Sequence, residues 1–301
     1  MNKDETTCTF VSTRGIAKSC KYHPQWFINN PSNKPRINVM NEEGDTIYLQ
    51  FDSVDIFAEM FLDKMSKPFK LISGNSDYTT PFDFRNAQKI LNNDKVICWY
   101  SQNVCLNHPK LKHIPIGLDY HTLSSTTHNH EWGSPMSPLE QENMLLKTLS
   151  RFDTLEFVKN KHIACTNFHL AMDDPPRRKI FREPAFKALK DKECVRWLSK
   201  STRNVFWNEL NEYAFCICPF GNGLDTHRTW EVLILNRIPI VMKCELNKLF
   251  EDLPIVEVED WSVLSKEFLL EKYAEILMNI KKGKYKFEKL TLKYWVDVIN
   301  N

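Results

Sequence analysis

Residues 213–242 read YAFCICPFGNGLDTHRTWEVLILNRIPIVM, and no other stretch restricts the possible folds as much. The apolar run 215–218 stops at Pro219. A loop follows that carries Gly221 and Gly223. A segment with helical spacing then carries Arg228 and Glu231, and the run 238–242 is apolar again. Strand, loop, helix and strand in about thirty residues make one βαβ unit. The junction of loop and helix is where such a unit can do chemistry. Free backbone N–H groups and the positive end of the helix dipole favour an anion there. Gly221 and Gly223 permit close backbone approach, and Arg228 adds a forked positive charge one turn in.

The same alternation runs through the chain. Strands are expected at 46–51, 69–73, 96–100 and 113–117, with helices at 53–65 and 83–92. The stretch 124–143 is polar and rich in Pro, Gly and Ser, which marks a boundary or long loop. A helix over 139–151 follows. Strands at 162–166, 195–198 and 254–258 then alternate with helices at 181–189, 203–212 and 265–281. Residues 286–300 have an amphipathic pattern with Phe287, Leu290, Tyr294 and Val298 on one face. Nearby Lys281, Lys282, Lys284, Lys286 and Lys289 read as a solvated face. The expected fold class is α/β, with parallel sheets. The expected domains are 1–138, 139–285 and a C-terminal helix, 286–301, packing back on the first unit. The first 45 residues have no clear pattern. Ligands of open α/β sheets collect beyond the carboxyl ends of strands, and several polar clusters sit there: Asn75–Ser76–Asp77, Gln102–Asn103, Asp119–Tyr120–His121, Asn167–Phe168–His169 and Asp225–His227–Arg228.

Composition narrows the function classes. Among 301 residues 42% are hydrophobic, enough for real cores, and the formal net charge is only +2. Such a balance implies no general attraction to nucleic acid or to a membrane surface. No apolar run is long enough to span a bilayer, and the first residues lack the apolar core of a signal peptide. The nine cysteines form no CxxC pair. Cys98, Cys165, Cys216 and Cys218 sit in apolar runs and read as buried free thiols. The expected location is therefore the cytoplasm.

The block 215–242, with its glycine loop, Asp-x-x-Arg-x-Trp-Glu and a strand containing Ile-Pro, resembles the C-terminal signature of exostosin-like glycosyltransferases. The pieces LISGNSDYTTP (71–81) and HPKLKHIPIGLDYHTL (108–123) are similar to the N-terminal half of soluble, often viral or microbial, relatives of that family. The resemblance implies a GT-B architecture: two Rossmann-like domains facing across a cleft, with the nucleotide sugar held mainly by the second. It also implies inverting transfer with no obligatory metal. The chain departs from the better-known animal and plant members in being short and in lacking a membrane anchor.

A nucleotide sugar asks three things of a protein: positive charge for the diphosphate, a carboxylate for the ribose diol and a slot for the base. Arg228 and Glu231 are three apart, so they share a helix face. The plain alternative is a surface ion pair worth ~0.3 kcal/mol. Asp225 reads equally as a helix cap or a sugar contact. Gly221, Gly223, His227 and Asn167 are further donor-binding candidates, with Arg178 (or Arg177) reaching the diphosphate and Ser201, in the loop 199–202, at the base. A base that takes the acceptor's proton is needed too. Asp77 is the first candidate, followed by Asp119 and His121; the alternative for each is a loop Asp in an Asx turn or a structural His. No Asp-x-Asp motif ends an apolar strand. Asp173–Asp174 reads as a turn and His128–Asn129–His130 as linker, so no metal ligand is assigned. The expected activity is transfer of a sugar from a nucleoside diphosphate, UDP first among them, to a hydroxyl of a glycan acceptor. No cofactor is expected beyond this donor as co-substrate. The rivals are a Rossmann oxidoreductase, disfavoured because no G-x-G-x-x-G opens a helix, and a non-catalytic glycan-binding protein on the same fold.

Overall fold

In the first sheet, alternate side chains of each strand go to opposite faces, as the period of two requires. In the computed structural model, which describes residues 4–23, 42–124, 131–149, 162–170 and 176–301, Thr13–Ser19 (α1) precedes Asp45–Gln50 (β1), Phe51–Met60 (α2), Phe69–Gly74 (β2), Ala87–Asn92 (α3), Val96–Ser101 (β3) and Leu111–His113 (β4). The four strands are parallel, in the order β1-β2-β3-β4. Ile47, Leu49, Leu71 and Trp99 face a core shared with Val54 and Phe57 of α2 and Ile90 of α3. Tyr48 and Ile72 face the other way.

The chain continues through His121–Ser124 (α4) and Pro138–Leu149 (α5) to a second parallel sheet. Its elements are Ala164–Thr166 (β5), Pro176–Leu189 (α6), Val195–Trp197 (β6), Arg203–Leu210 (α7), Phe215–Ile217 (β7), His227–Ile234 (α8), Ile238–Met242 (β8), Val256–Val258 (β9) and Lys266–Lys281 (α9). The strand order is β6-β5-β7-β8-β9. From β5 the chain moves outward to β6, and then returns to the other side of β5 as β7. That reversal is a topological switch point, the place where an open α/β sheet leaves a crevice beyond its strand ends.

One core spans both sheets. Tyr48 and Ile72 of the first share a buried cluster with Cys165, Cys216 and Val241 of the second and with Trp230 of α8. The C-terminal helix Leu292–Asn300 (α10) joins it and lies against the first sheet: Lys70 Nζ donates to Ile299 O at 2.7 Å, and Tyr100 OH donates to Val298 O at 3.0 Å. Among the described residues no helix is long and apolar enough to cross a membrane. Cys98, Cys165, Cys216 and Cys218 are free and buried.

Local structure differs from the sequence reading at several places. The strand expected at 113–117 is Leu111–His113; Gly117 already lies at φ +64 and Pro115 has no N–H for a ladder. The helix expected over 53–65 ends at Met60 and finishes as a 3-10 turn, Leu62–Lys64. The tail buries a different face. Thr291 caps α10 by accepting from Tyr294 N, which sets Leu292, Trp295 and Ile299 inward rather than Tyr294 and Val298. Phe287 is exposed, in a separate 3-10 turn. Lys289, read as solvated, is buried and donates to the carbonyl of Glu251.

Candidate functional site

The loop after β7 folds on itself, with Gly221 N donating to Gly223 O at 3.0 Å. It presses against the loops at the carboxyl end of the first sheet. A Cβ on Gly223 would stand 3.0 Å from Asn103 Nδ2 and 3.4 Å from the Cα of Asp77, so a side chain there would force Asn103 to give way. Three hydrogen bonds clamp the start of α8 to the first sheet. Asp225 N donates to Asn103 Oδ1 at 2.8 Å, Ile116 N donates to Asp225 Oδ2 at 2.7 Å, and His227 Nδ1 donates to Gly117 O at 2.7 Å.

Asp225 is therefore not a helix cap. Thr226 holds that position without a side-chain bond, and the buried Asp225 carboxylate also accepts from Trp230 Nε1 at 2.9 Å. Burial pushes the Asp225 carboxyl up to about 7 although Ile116 N and Trp230 Nε1 both donate to it.

Arg228 projects from the first turn of α8 and meets three partners. Nη1 donates to Asn167 Oδ1 at the end of β5, Nε donates to Glu231 Oε2 at 3.3 Å, and the guanidinium lies over Phe206, with Cζ 3.7 Å from the ring centroid. Burial pulls its pKa down, but Glu231 and the nearby thiols outweigh that and raise it. The pair with Glu231 is real, yet it is not a surface pair: the Glu231 side chain is 9% exposed and Arg228 25%. Glu231 Oε1 also lies 3.6 Å from Arg203 Nε. Arg203 in turn pairs with Asp119 Oδ2 at 2.9 Å and donates to the Asp119 carbonyl and Gln141 Oε1. Asp119 Oδ1 is 3.0 Å from His121 Nδ1. Burial would raise the Asp119 pKa, but His121, His227 and Arg203 hold it well below the usual carboxylate range. The result is a polar chain from β5 to α4, in which Arg228, Glu231, Arg203 and Asp119 alternate in charge between Asn167 at one end and His121 at the other.

Two adjoining cavities open on this chain. The larger, about 370 Å³, is lined by Asp77, Asn167, Ser201, Gly221, Gly223, Asp225, His227 and Arg228, together with Trp132, Arg182 and Lys200. The smaller, about 220 Å³, has Asp119, Arg203, Phe206 and Glu231 on its wall and shares Trp132, Asn167, Ser201, His227 and Arg228 with the first. The larger falls within the range of small-ligand pockets, roughly 300–1,000 Å³, and the smaller lies below it. Ser201 Oγ is buried without a hydrogen-bond partner among the described residues.

Ten of the residues singled out from the sequence thus line one or other cavity. His121 stands behind Asp119, its ring 6.1 Å from that of His227. Arg178 lies on α6, but its side chain is outside the described residues, as are Asp173–Asp174 and His128–His130. Sequence reasoning missed Arg203, Phe206 and Arg182, and it placed Asn103 in a polar cluster beyond a strand end without giving it a role. Arg203 had a signal: a cation in the first turn of a helix, where the dipole disfavours it. Asn103 sits at φ +51, a conformation asparagine tolerates better than most residues. Among the described residues no group of three or more His, Cys, Asp or Glu side chains is arranged to hold a metal ion.

The fold and the cleft define a protein of two parallel α/β sheets with a charged, partly enclosed cavity at the switch point of the second. No protein-family model matches the chain, and no curated protein matches it in a sequence search.

Proposed function

We propose that the chain is a glycosyltransferase of GT-B architecture that moves a sugar, with inversion, from a nucleoside diphosphate to a hydroxyl of a glycan acceptor. UDP is the nucleotide expected first. The observation that supports this reading best is the setting of Arg228. It is a guanidinium in a cavity, at the start of a helix, beside a glycine loop and at a switch point. Each of these features favours a bound diphosphate. Phe206 and Asn167 hold the guanidinium plane, so less freedom is lost when it binds. Glu231 keeps Arg228 and Arg203 in place, and its remaining lone pairs suit ribose hydroxyls. Ser201 offers an unused hydroxyl to the base or ribose. On this reading the acceptor approaches from the side of Asp77, which lies next to Gly223. As the donor's C1–O bond breaks, charge grows on the diphosphate, and a preorganised Arg228 and helix dipole stabilise it.

The test is calorimetry with UDP, GDP and their sugars, without added metal. Binding of at least one at micromolar strength is expected. Failure of all of them to bind contradicts the reading.

A further inference from the structure

His227 stands at the first turn of α8 and lines both cavities. Its Nδ1 lies 2.7 Å from the carbonyl oxygen of Gly117. A carbonyl oxygen only accepts, so Nδ1 carries the proton. In the neutral ring the lone pair then sits on Nε2, and among the described residues no group hydrogen-bonds that nitrogen. A tautomer fixed by a backbone carbonyl with the other nitrogen left open is the usual arrangement of a histidine set up for proton transfer.

We propose that His227 is the catalytic residue that takes the acceptor's proton, through Nε2. This rests on the glycosyltransferase reading. In the step, the acceptor oxygen bonds to the anomeric carbon from the face opposite the leaving group. The C1–O bond to the diphosphate breaks, and its electron pair leaves with the diphosphate beside Arg228. The acceptor's proton passes to Nε2 and makes an imidazolium.

The surroundings fit both states of the ring. Burial lowers the His227 pKa, helped by His121 and opposed by Asp119 and Glu231, so the neutral form prevails at neutral pH. The position at the start of α8 acts in the same direction. Other charged groups on the cavity wall are Arg228, Arg182, Lys200, Asp77 and Asp225. Once the ring is charged, Asp119 offsets it. Asp119 itself is a poor base, because Arg203 and His121 already occupy its oxygens and hold it ionised at low proton affinity.

The discriminating variant is His227→Asn. An asparagine amide can keep the bond to Gly117 O, but it has no basic nitrogen. With UDP as probe, its binding measured by calorimetry should stay within about threefold of the parent. UDP release from a panel of UDP- and GDP-sugars, with water as acceptor, should fall by roughly 10²–10⁴, and the acid limb of the pH–rate profile should disappear. Long-range ¹H–¹⁵N spectra of the parent should show the neutral Nδ1–H tautomer, a readout that needs neither substrate nor variant. An Nε2–H tautomer overturns the proposal. So does turnover of His227→Asn within tenfold of the parent, or loss of the acid limb in Asp77→Asn with retention in His227→Asn. If the parent binds no nucleotide at all, the glycosyltransferase reading fails and this proposal fails with it.

Discussion

Arg228 is held by an amide, a carboxylate and an aromatic face, and each restrains a different motion of one guanidinium. Lysine would keep the charge and lose the fork. Arg228→Lys is therefore expected to weaken UDP binding by about 1.5–3 kcal/mol, or roughly 10- to 150-fold, in calorimetry. Arg203 works on the other side of Glu231. Its loss would leave Glu231 and Asp119 as buried charges without their shared partner. Arg203→Ala should cost about 3–5 kcal/mol in chemical denaturation. Asp225 makes stability depend on pH. Its carboxyl titrates near 7 in the folded chain, against a reference value of 3.8. Below about pH 4 both states hold the proton. Between about 4 and 7 the unfolded chain releases it while the folded chain keeps it, so stability falls as pH rises through that window. Asp225→Asn cannot titrate. The difference in Tm between parent and variant should shrink steadily from pH 4.5 to 7; a constant difference would contradict the assignment. Several of these residues were legible in the sequence because their types and spacing state their chemistry: Arg228 and Glu231 share a helix face wherever the helix lies. The role of Arg203, and what Asn103 does within its polar cluster, were not legible, because they depend on partners about 30 to 120 positions away that only the folded chain brings close.

The strand–loop–helix unit shows where sequence reading succeeds and where it stops. The two apolar runs around the glycine loop become β7 and β8, and the segment carrying Arg228 becomes α8. Period and glycine placement are local properties, so they can be read locally. The sheet order that creates the switch point is not local. Neither is the inward face of α10, which follows from the Thr291 cap and from Trp295 Nε1 donating to Lys289 O at 2.7 Å. Gly117 illustrates the limit. It lies at φ +64, and a Cβ there would come within 2.1 Å of Val11 O. Gly117→Ala should destabilise the fold by more than the ~1–3 kcal/mol of the backbone strain alone. It should also disturb His227, whose Nδ1 partner is the Gly117 carbonyl; thermal unfolding together with the His227 tautomer would report both effects.

At the scale of the molecule, a single core runs between the two sheets, and α10 ties the end of the chain to the first. Two weakly coupled domains would melt separately. The shared core predicts one cooperative transition in calorimetry with equal calorimetric and van't Hoff enthalpies, and two resolved transitions would contradict it. The sequence showed two α/β series and a polar stretch between them. It did not show that Cys165, Cys216 and Tyr48 pack in one cluster, because apolar residues reveal that they are buried but not what they are buried against. That same junction puts Asp77 beside the Gly223 loop and the Gly117 carbonyl against His227. The measurement that bears most directly on the account is a crystal structure with UDP bound. The account predicts the diphosphate at the start of α8, with its oxygens within hydrogen-bond distance of Arg228 and the ribose near Glu231. A nucleotide bound elsewhere, with Arg228 still engaged by Asn167, Glu231 and Phe206, would contradict it.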